Sequence, residues 1–281
     1  MPLASNQFKE LIAGIPENLT ACAPLLSAFA GKLTICAVSY GDYPLLLGRF
    51  LGRLFDSTPQ EMFSLRLGLN APSAMSREIA ERYAHRHTNI ELTISSTNLF
   101  KNPMMRRLIH DPPILSEWTA WFDDDSYVKR SDWLMRLALK IQGTPQVDVW
   151  GVRYLHSPDE TALQFARTSP TYRGLPWLVR QNVSGETVPC FEFATGGFWV
   201  ARTRVLQSLD WPDARVVQAG DDFLFGEALR QNGFQIGSFD RCVTVSDAER
   251  RNASAEEVIR IPKVEEVGRV PSVASVPEFG L

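Results

Sequence analysis

The chain has 281 residues, of which 44% are hydrophobic, 22% charged and 10% aromatic. These are ordinary values for a globular protein, and they exclude a disordered, collagen-like or disulfide-stapled chain. A net charge of −3 argues against the basic field of a general nucleic-acid binder. No Cys-x-x-Cys pair is present, so free, mostly buried thiols are expected at Cys22, Cys36, Cys190 and Cys242.

The apolar stretch at 21–38 is the one candidate near the N-terminus for a transmembrane helix or a signal peptide. Pro24, Gly31 and Lys32 interrupt it, and no basic segment precedes it. It therefore fits a linker that leads into a buried strand better than a transmembrane helix or a signal peptide. The protein is expected to be soluble and cytoplasmic.

Strands and helices alternate along the first half of the sequence. In chain order the patterns predict a helix at 5–13, a strand at 33–41, a helix at 44–58, a strand at 61–70, a helix at 73–87 and a strand at 89–97. This βαβαβ order predicts a parallel, doubly wound sheet.

The second half is more mixed. The patterns predict a helix near 103–110, a strand at 117–128 that contains an aspartate triplet, a helix at 131–142 and a strand at 147–155. An irregular segment at 156–190 follows, and then a strand and a Gly-Gly turn within 188–209. The last predicted elements are a helix at 221–233, closed by Gly233, and strands at 234–246. One domain at 1–252 is expected, with a nucleotide half at 33–130, an acceptor half at 131–252, and an extended or flexible tail at 253–281.

The aspartate triplet Asp123, Asp124 and Asp125 follows an apolar run in the string WFDDDSYV. Ligands of open α/β sheets bind beyond the carboxyl ends of the strands. Adjacent carboxylates repel one another, and a hard divalent cation would relieve the repulsion. In an extended segment Asp123 and Asp125 point to the same side and would share an ion that holds a diphosphate. The alternative is an acidic surface turn that caps the next helix.

Two further strings carry candidate chemistry. Gly196 and Gly197 are expected to form a turn with positive φ that approaches a ligand, beside a stacking wall of Phe198 and Trp199. The alternative for this string is a hairpin whose aromatic residues belong to the core.

The acidic pair Asp221 and Asp222 opens a predicted helix. Carboxylates at that position commonly cap the helix. A carboxylate fixed near an acceptor hydroxyl would also take its proton as the hydroxyl attacks.

Taken in order, the strings WFDDDSYV, FATGGFWVARTRVL and GDDFLFGEALRQNGF resemble GT-A glycosyltransferases, closest to the Fringe-like and family-2-like inverting enzymes that use nucleotide sugars. The resemblance covers roughly 33–247 and is specific between 117 and 235. It implies a Rossmann-like α/β fold with a mixed, mostly parallel central sheet and flanking helices.

The resemblance also implies a function, which is inverting transfer from a UDP-sugar to an acceptor hydroxyl with Mn²⁺ or Mg²⁺. By this resemblance Asp222 is the general base, with Asp221 as the next candidate, and Asp123 and Asp125 hold the metal. The residues implied in donor binding are Ser39, Tyr40, Asp123, Asp124 and either Arg107 or Arg106. The residues implied in acceptor binding are Thr195, Gly196, Gly197, Phe198 and Trp199.

Two departures from that pattern change the expectations. No histidine follows His156, where the family pattern has a further metal ligand, so either Asp247 or water takes that place, or metal binding is weak. The membrane anchor and disulfides of Fringe-like proteins have no counterpart, so a bacterial or viral enzyme is expected. Its acceptor would be a glycan, a lipid, a small molecule or a hydroxymethylated DNA base, with phosphate contacts from Arg77, Arg82, Arg86, Arg202 and Arg204.

Two other functions remain open. A haloacid-dehalogenase-type phosphatase would use Asp123 or Asp125 as nucleophile, Thr195 as phosphate contact and Asp221 as metal ligand. This chemistry wants a lysine or arginine between Thr195 and the acidic pair, where the sequence offers only Arg202, Arg204 and Arg215, and three strands precede the aspartates. The third possibility is a non-catalytic module that binds nucleotide sugars or glycans.

Overall fold

A computed structural model of the chain describes residues 30–156, 191–214, 221–239 and 241–245. The predicted helix at 5–13, most of the irregular segment at 156–190, Asp247 and the tail lie outside the described residues. So do two of the cysteines, Cys22 and Cys190. The other two, Cys36 and Cys242, are free and buried, as expected.

The elements follow the predicted alternation. They are β1 (Leu33–Tyr40), α1 (Pro44–Ser57), β2 (Phe63–Asn70), α2 (Ala74–Arg86), β3 (Ile90–Ser95), α3 (Lys101–His110), β4 (Trp118–Asp123), β5 (Tyr127–Val128), α4 (Trp133–Gly143), β6 (Val149–His156), β7 (Phe191–Arg202), α5 (Thr203–Ser208), α6 (Asp221–Gln231), β8 (Ile236–Ser238) and β9 (Val243–Thr244). Pro44 begins α1, and Gly233, with φ +74°, follows the end of α6.

The central sheet of the described residues has seven strands in the order β3-β2-β1-β4-β7-β6-β8. Every neighbouring pair is parallel except the two that involve β7, which is antiparallel to both β4 and β6. The mixed, mostly parallel sheet predicted from the sequence is therefore confirmed. Val38 lies opposite Asp123, and Phe122 lies opposite Phe198, so the carboxyl ends of β1 and β4 meet the first half of β7 at one edge.

Helices cover both faces of this sheet. One apolar cluster packs α1, α2 and α4 against side chains such as Ile35 and Phe122. A second cluster packs α3, α5 and α6 against Cys36 and Trp121 on the opposite face. Because successive side chains of a strand point to opposite faces, strands buried on both sides are apolar almost continuously.

The predicted Gly-Gly turn is not present. Gly196 and Gly197 lie within the continuous strand β7, and neither is among the described glycines with positive φ. The stacking wall predicted from Phe198 and Trp199 was also wrong. The two residues are 0% and 2% exposed, and their rings pack against Phe122 and Trp121. The alternative, aromatic residues of the core, is the observed one.

Among the described residues, helices long and apolar enough to span a bilayer are absent.

The packing of α6 on β7 gives a test of the fold. A Cβ at Gly226 would collide with the carbonyl oxygen of Glu192 and lie 2.6 Å from the Cβ of Phe193. We expect Gly226→Ala to lower the free energy of unfolding by about 1–3 kcal/mol, since overpacking outweighs the gain in helix propensity. Urea denaturation measures the change.

Gly48→Ala in α1 is the matched control. A Cβ there meets nothing within 4 Å, so only helix propensity changes. This variant should be about 0.5–1 kcal/mol more stable than the wild type. Equal effects of the two substitutions would contradict the close packing of α6 on β7.

Candidate active site

The aspartate triplet lies where β4 ends. The strand stops at Asp123, and the amide of Ser126 donates a 3.0 Å hydrogen bond to the carbonyl of Asp123. Asp124 and Asp125 therefore occupy the middle of a tight turn. The extended segment in which Asp123 and Asp125 would point to one side is therefore not observed.

The Asp123 side chain is engaged on both oxygens. The indole N–H of Trp121 donates to Oδ1 at 2.9 Å, and the ammonium of Lys101 donates to Oδ2 at 3.1 Å. Burial raises the pKa of Asp123 to about 6, while Lys101 acts to lower it and the neighbouring Asp221 to raise it. The carboxylate is thus held in place by partners of its own chain.

Lys101 connects three elements at this edge. Besides Asp123, its Nζ lies 3.2 Å from Asp221 Oδ2 and donates to the carbonyl of Gly196 at 2.9 Å. Burial alone would lower the pKa of Lys101, but the two carboxylates outweigh burial and the net pKa is raised. A Cβ on Gly196 would lie 3.0 Å from this Nζ, so glycine is needed there for close approach rather than for a turn.

The start of α3 is fixed by the carboxyl end of β2. Buried Asn70 accepts from the amide of Leu99 at 2.8 Å and donates to the carbonyl of Phe100 at 3.1 Å. Phe100 has φ +66°, a strained value for a residue other than glycine. The Asn98 side chain accepts from the Phe100 amide at 2.8 Å. Together these bonds hold the turn that presents Lys101.

Asp222 begins α6 beside β7. Its Oδ1 accepts from the amide of Phe223 at 2.8 Å, and its Oδ2 accepts from the amide of Gly196 at 3.4 Å. Burial and the neighbouring Asp221 raise the pKa of Asp222, and the two amides act against them. The side chain is therefore oriented, partly buried and more basic than an ordinary aspartate.

The residues present fit a divalent cation only in part. Within the described ranges, no three His, Cys, Asp or Glu side chains are grouped so as to hold a metal ion. Asp123 does not fit as a ligand, because an ammonium 3.1 Å from its Oδ2 would repel a dication. Asp124 and Asp125 are 5% and 8% exposed. Burial, Asp125 and Asp123 raise the pKa of Asp124, as expected where negative charge is in excess.

The structure brings only part of the predicted donor site to this edge. Ser39 is the penultimate residue of the neighbouring strand β1 and is buried, and its hydroxyl has no hydrogen-bond partner within the described residues. Tyr40 packs edge-on against Tyr43, with ring centroids 5.4 Å apart. Arg107 is exposed on α3, about 9 Å along the helix from Lys101. Arg106 instead binds Asp210.

The structure also describes Thr195, predicted to bind the acceptor, and the arginines predicted to contact DNA phosphates. Thr195 lies on β7 directly before Gly196, and its Oγ1 accepts from the amide of Gly197 at 3.5 Å. The arginines proposed for DNA phosphates fall into two groups. Arg77, Arg82 and Arg86 lie on α2, where the first two pair with glutamates of the same helix. Arg202 and Arg204 both pair with Asp148.

Lys101 was missed in the sequence because α3 was predicted to begin near 103. The available signal was a lysine four residues after the strand predicted at 89–97, near the edge where the aspartates were expected. A buried carboxylate cluster needs a cation, but no local pattern in the sequence identifies this lysine as the one that supplies it.

The fold is similar to that of two solved glycosyltransferases with GT-A-like folds. S. aureus TarS matches with a TM-score of 0.52 and 17% identity over 78% of this chain and 37% of its own. The mannosyltransferase PcManGT from Pyrobaculum calidifontis, solved with GDP-Man and Mn²⁺, matches with a TM-score of 0.52 and 13% identity over 84% of this chain and 66% of its own. No family model and no curated protein matches the sequence. The chain thus has a GT-A-like α/β fold.

The two asparagines that hold the Lys101 turn should differ in their contribution to stability. Asn70→Ala leaves an amide and a carbonyl without their buried partner, so we expect a loss of about 2–4 kcal/mol in the free energy of unfolding. Asn98→Ala breaks an exposed hydrogen bond and should cost below about 1 kcal/mol. Chemical denaturation of both variants checks the order, which would be wrong if Asn98→Ala were the more damaging.

Proposed function

We propose that this chain is an inverting glycosyltransferase that moves a sugar from a nucleotide-diphosphate donor, a UDP-sugar by the sequence resemblance, to an acceptor hydroxyl. The observation that carries the proposal is the meeting of the aspartate triplet and Asp222 at one sheet edge, through Lys101 and Gly196. Ligands of α/β sheets bind at such an edge. The GT-A-like fold supports the same reaction class.

Asp222 is the proposed general base. The acceptor oxygen bonds to the anomeric carbon, its proton passes to Asp222, and the bond from that carbon to the diphosphate oxygen breaks. Two backbone amides orient the carboxylate, and burial raises its pKa. Both effects favour proton transfer, which needs a base in fixed geometry with a pKa closer to the working pH.

The donor is proposed to lie across the carboxyl ends of β1 and β4. Ser39 would offer its buried hydroxyl to the nucleotide, and Tyr40 would contact the nucleotide's base. Asp124 would face the ribose or the transferred sugar. Of the residues proposed for Mn²⁺ or Mg²⁺, Asp125 fits best, since Lys101 already binds Asp123. Such an ion would neutralise charge on the departing diphosphate. Asp247 is retained as a proposed third metal ligand and lies outside the described residues.

The acceptor would reach Asp222 from the side of Thr195 and Gly196. Buried Phe198 and Trp199 are not part of that surface. A glycan, lipid or small-molecule acceptor needs no basic patch, whereas a DNA acceptor would need arginines of which four are paired with carboxylates here. This pairing favours the glycan, lipid or small-molecule acceptors. The resemblance to the Fringe-like enzymes is proposed to extend to the chemistry and not to their acceptor.

A phosphatase is the weaker candidate. Lys101 lies at the edge and would supply a cation, but it precedes the triplet in the chain, whereas that chemistry wants a lysine or arginine between Thr195 and the acidic pair. Arg202 and Arg204 lie in that interval, and both pair with Asp148. The triplet also follows the fourth strand of the described sheet. A non-catalytic binding module would have no use for the raised pKa of Asp222.

Asp222→Asn should lower the transfer rate by about 10²–10⁴-fold and leave donor binding intact, because the base is lost and the donor side is unchanged. In the wild type, the rate should rise with pH through the pKa of Asp222, above the usual aspartate range. A coupled assay of nucleoside diphosphate release from pH 4 to 9 measures both. Normal turnover by the variant would exclude Asp222 as base.

The same substitution has an opposite effect on stability. Since the folded protein raises the pKa of Asp222, the folded state binds more protons than the unfolded state, and the cost of ionising the group appears as pH rises through that pKa. Asp222→Asn removes this cost. The stability of the wild type relative to the variant should therefore fall between low and neutral pH.

A thermal-shift screen tests the donor and the cation. UDP with Mn²⁺ should raise the Tm by roughly 5–10 °C at 100 times its Kd, and GDP, TDP and CMP should do less. Asp125→Asn should lose the Mn²⁺-dependent part, and exposed Asp56→Asn on α1 should keep it. Stabilisation by another nucleotide would change the donor, and a shift without metal would remove Asp125 as ligand.

A further inference from the structure

Lys101 lies between the two halves of the proposed active site. Asp123 belongs to the donor side, while Asp221 and Gly196 flank the proposed base. We propose that Lys101 is a positioning residue that fixes Asp222 relative to the donor, and that it is not a ligand of the donor's diphosphate. This inference rests on the proposed function and assigns a role within the same site.

The hydrogen-bonding capacity of Lys101 is already used. An ammonium has three N–H donors and no acceptor. Its Nζ has an acceptor for each of them, namely Gly196 O at 2.9 Å, Asp123 Oδ2 at 3.1 Å and Asp221 Oδ2 at 3.2 Å. A phosphate oxygen would have to displace one of these, and two of the three are carboxylates, which bind an ammonium strongly.

Lys101 contacts two groups that adjoin the proposed base Asp222. On one side Lys101 binds Asp221, the residue directly before Asp222 in α6. On the other side it binds the carbonyl of Gly196, whose amide points to Asp222 Oδ2 at 3.4 Å. If the ammonium is removed, the start of α6 and the middle of β7 lose their common partner. The carboxylate of Asp222 would then move with respect to the end of β4.

Lys101 is suited to this role because it is held rigidly. It is the first residue of α3, and the preceding turn is fixed by Asn70 and by the strained backbone of Phe100. Its ammonium also lies 5.8 Å from the ring centroid of Trp121, within the range of a cation–π contact. A charge with so little freedom serves as a fixed reference point for α6.

The test separates positioning from phosphate binding by measuring kcat and donor affinity independently. Lys101→Met keeps the unbranched side chain up to the position of Cε and removes the charged nitrogen. We expect kcat to fall about 10–100-fold, as for a misplaced catalytic group, with the Kd for UDP within about threefold of the wild type. Lys140→Met, at an exposed lysine of α4, is the control and should change neither quantity.

The result that would overturn the proposal is the reverse pattern. A Kd for UDP weakened tenfold or more, with kcat unchanged at saturating donor, would make Lys101 a phosphate ligand. If Lys101→Met changed neither kcat nor the Kd for UDP, Lys101 would have no role in catalysis or donor binding, and the proposal would be overturned. Partial recovery of kcat in Lys101→Arg, which restores the charge, would support positioning, since a collapsed fold would not recover.

A double-mutant cycle keeps the test decisive if single variants fold poorly. The Lys101→Met/Asp221→Asn variant removes both charges of the pair. Because the two residues act together, its kcat should be no lower than that of Lys101→Met, and the urea midpoints of the four proteins should be non-additive. Additive effects would overturn the link between α3 and α6.

Failure of the proposed function is distinguishable from failure of this inference. A wild-type protein that binds no nucleotide and transfers no sugar would overturn the function and the catalytic part of the proposal. The urea midpoints would still show whether Lys101 and Asp221 are coupled. Coupling with normal kcat in Lys101→Met would leave the transferase intact and reject positioning.

Discussion

The compensation of buried negative charge at one sheet edge is the constraint on which the site depends. Asp123 and Asp221 belong to segments far apart in the chain, and their partly buried carboxylates would repel each other without a cation between them. The ammonium of Lys101 lies between them and also binds the Gly196 carbonyl. This single group is therefore a common partner of β4, β7 and α6, and it compensates the charge of the aspartates where the pairing of β4 with β7 and the apolar packing of α6 bring them together.

The glycines of this region are explained by the same convergence. A Cβ on Gly196 would crowd Lys101 and Asp222, one on Gly197 would collide with Val245, and one on Gly226 would collide with β7. The backbone at Gly196 and Gly197 is nevertheless an ordinary strand. Glycine is used here for close packing between elements and not for conformational freedom, which is why a Gly-Gly pair in the sequence was mistaken for a turn.

The sequence predicted what is set by local pattern and missed what is set by distant contacts. The strands, helices and parallel order follow from periodicity, and β1 and α1 begin where expected. Phe198 and Trp199 were misassigned because a strand buried on both faces has the same apolar letters as an exposed aromatic platform. Lys101 was missed because its partners, Gly196 and Asp221, are far along the chain, and no local pattern encodes such a contact.

The charge at this edge also restricts how a donor binds. The described carboxylates there include Asp123, Asp124, Asp125, Asp221 and Asp222, and burial raises the pKa of Asp123, Asp124 and Asp222. Lys101 has no donor left for a further anion. A diphosphate adds negative charge to a cluster that already lacks positive charge, so electrostatic repulsion would oppose its binding. A nucleotide donor would therefore bind with its own counter-ion, and donor affinity should depend on the divalent cation even though Asp123 is not free to hold it.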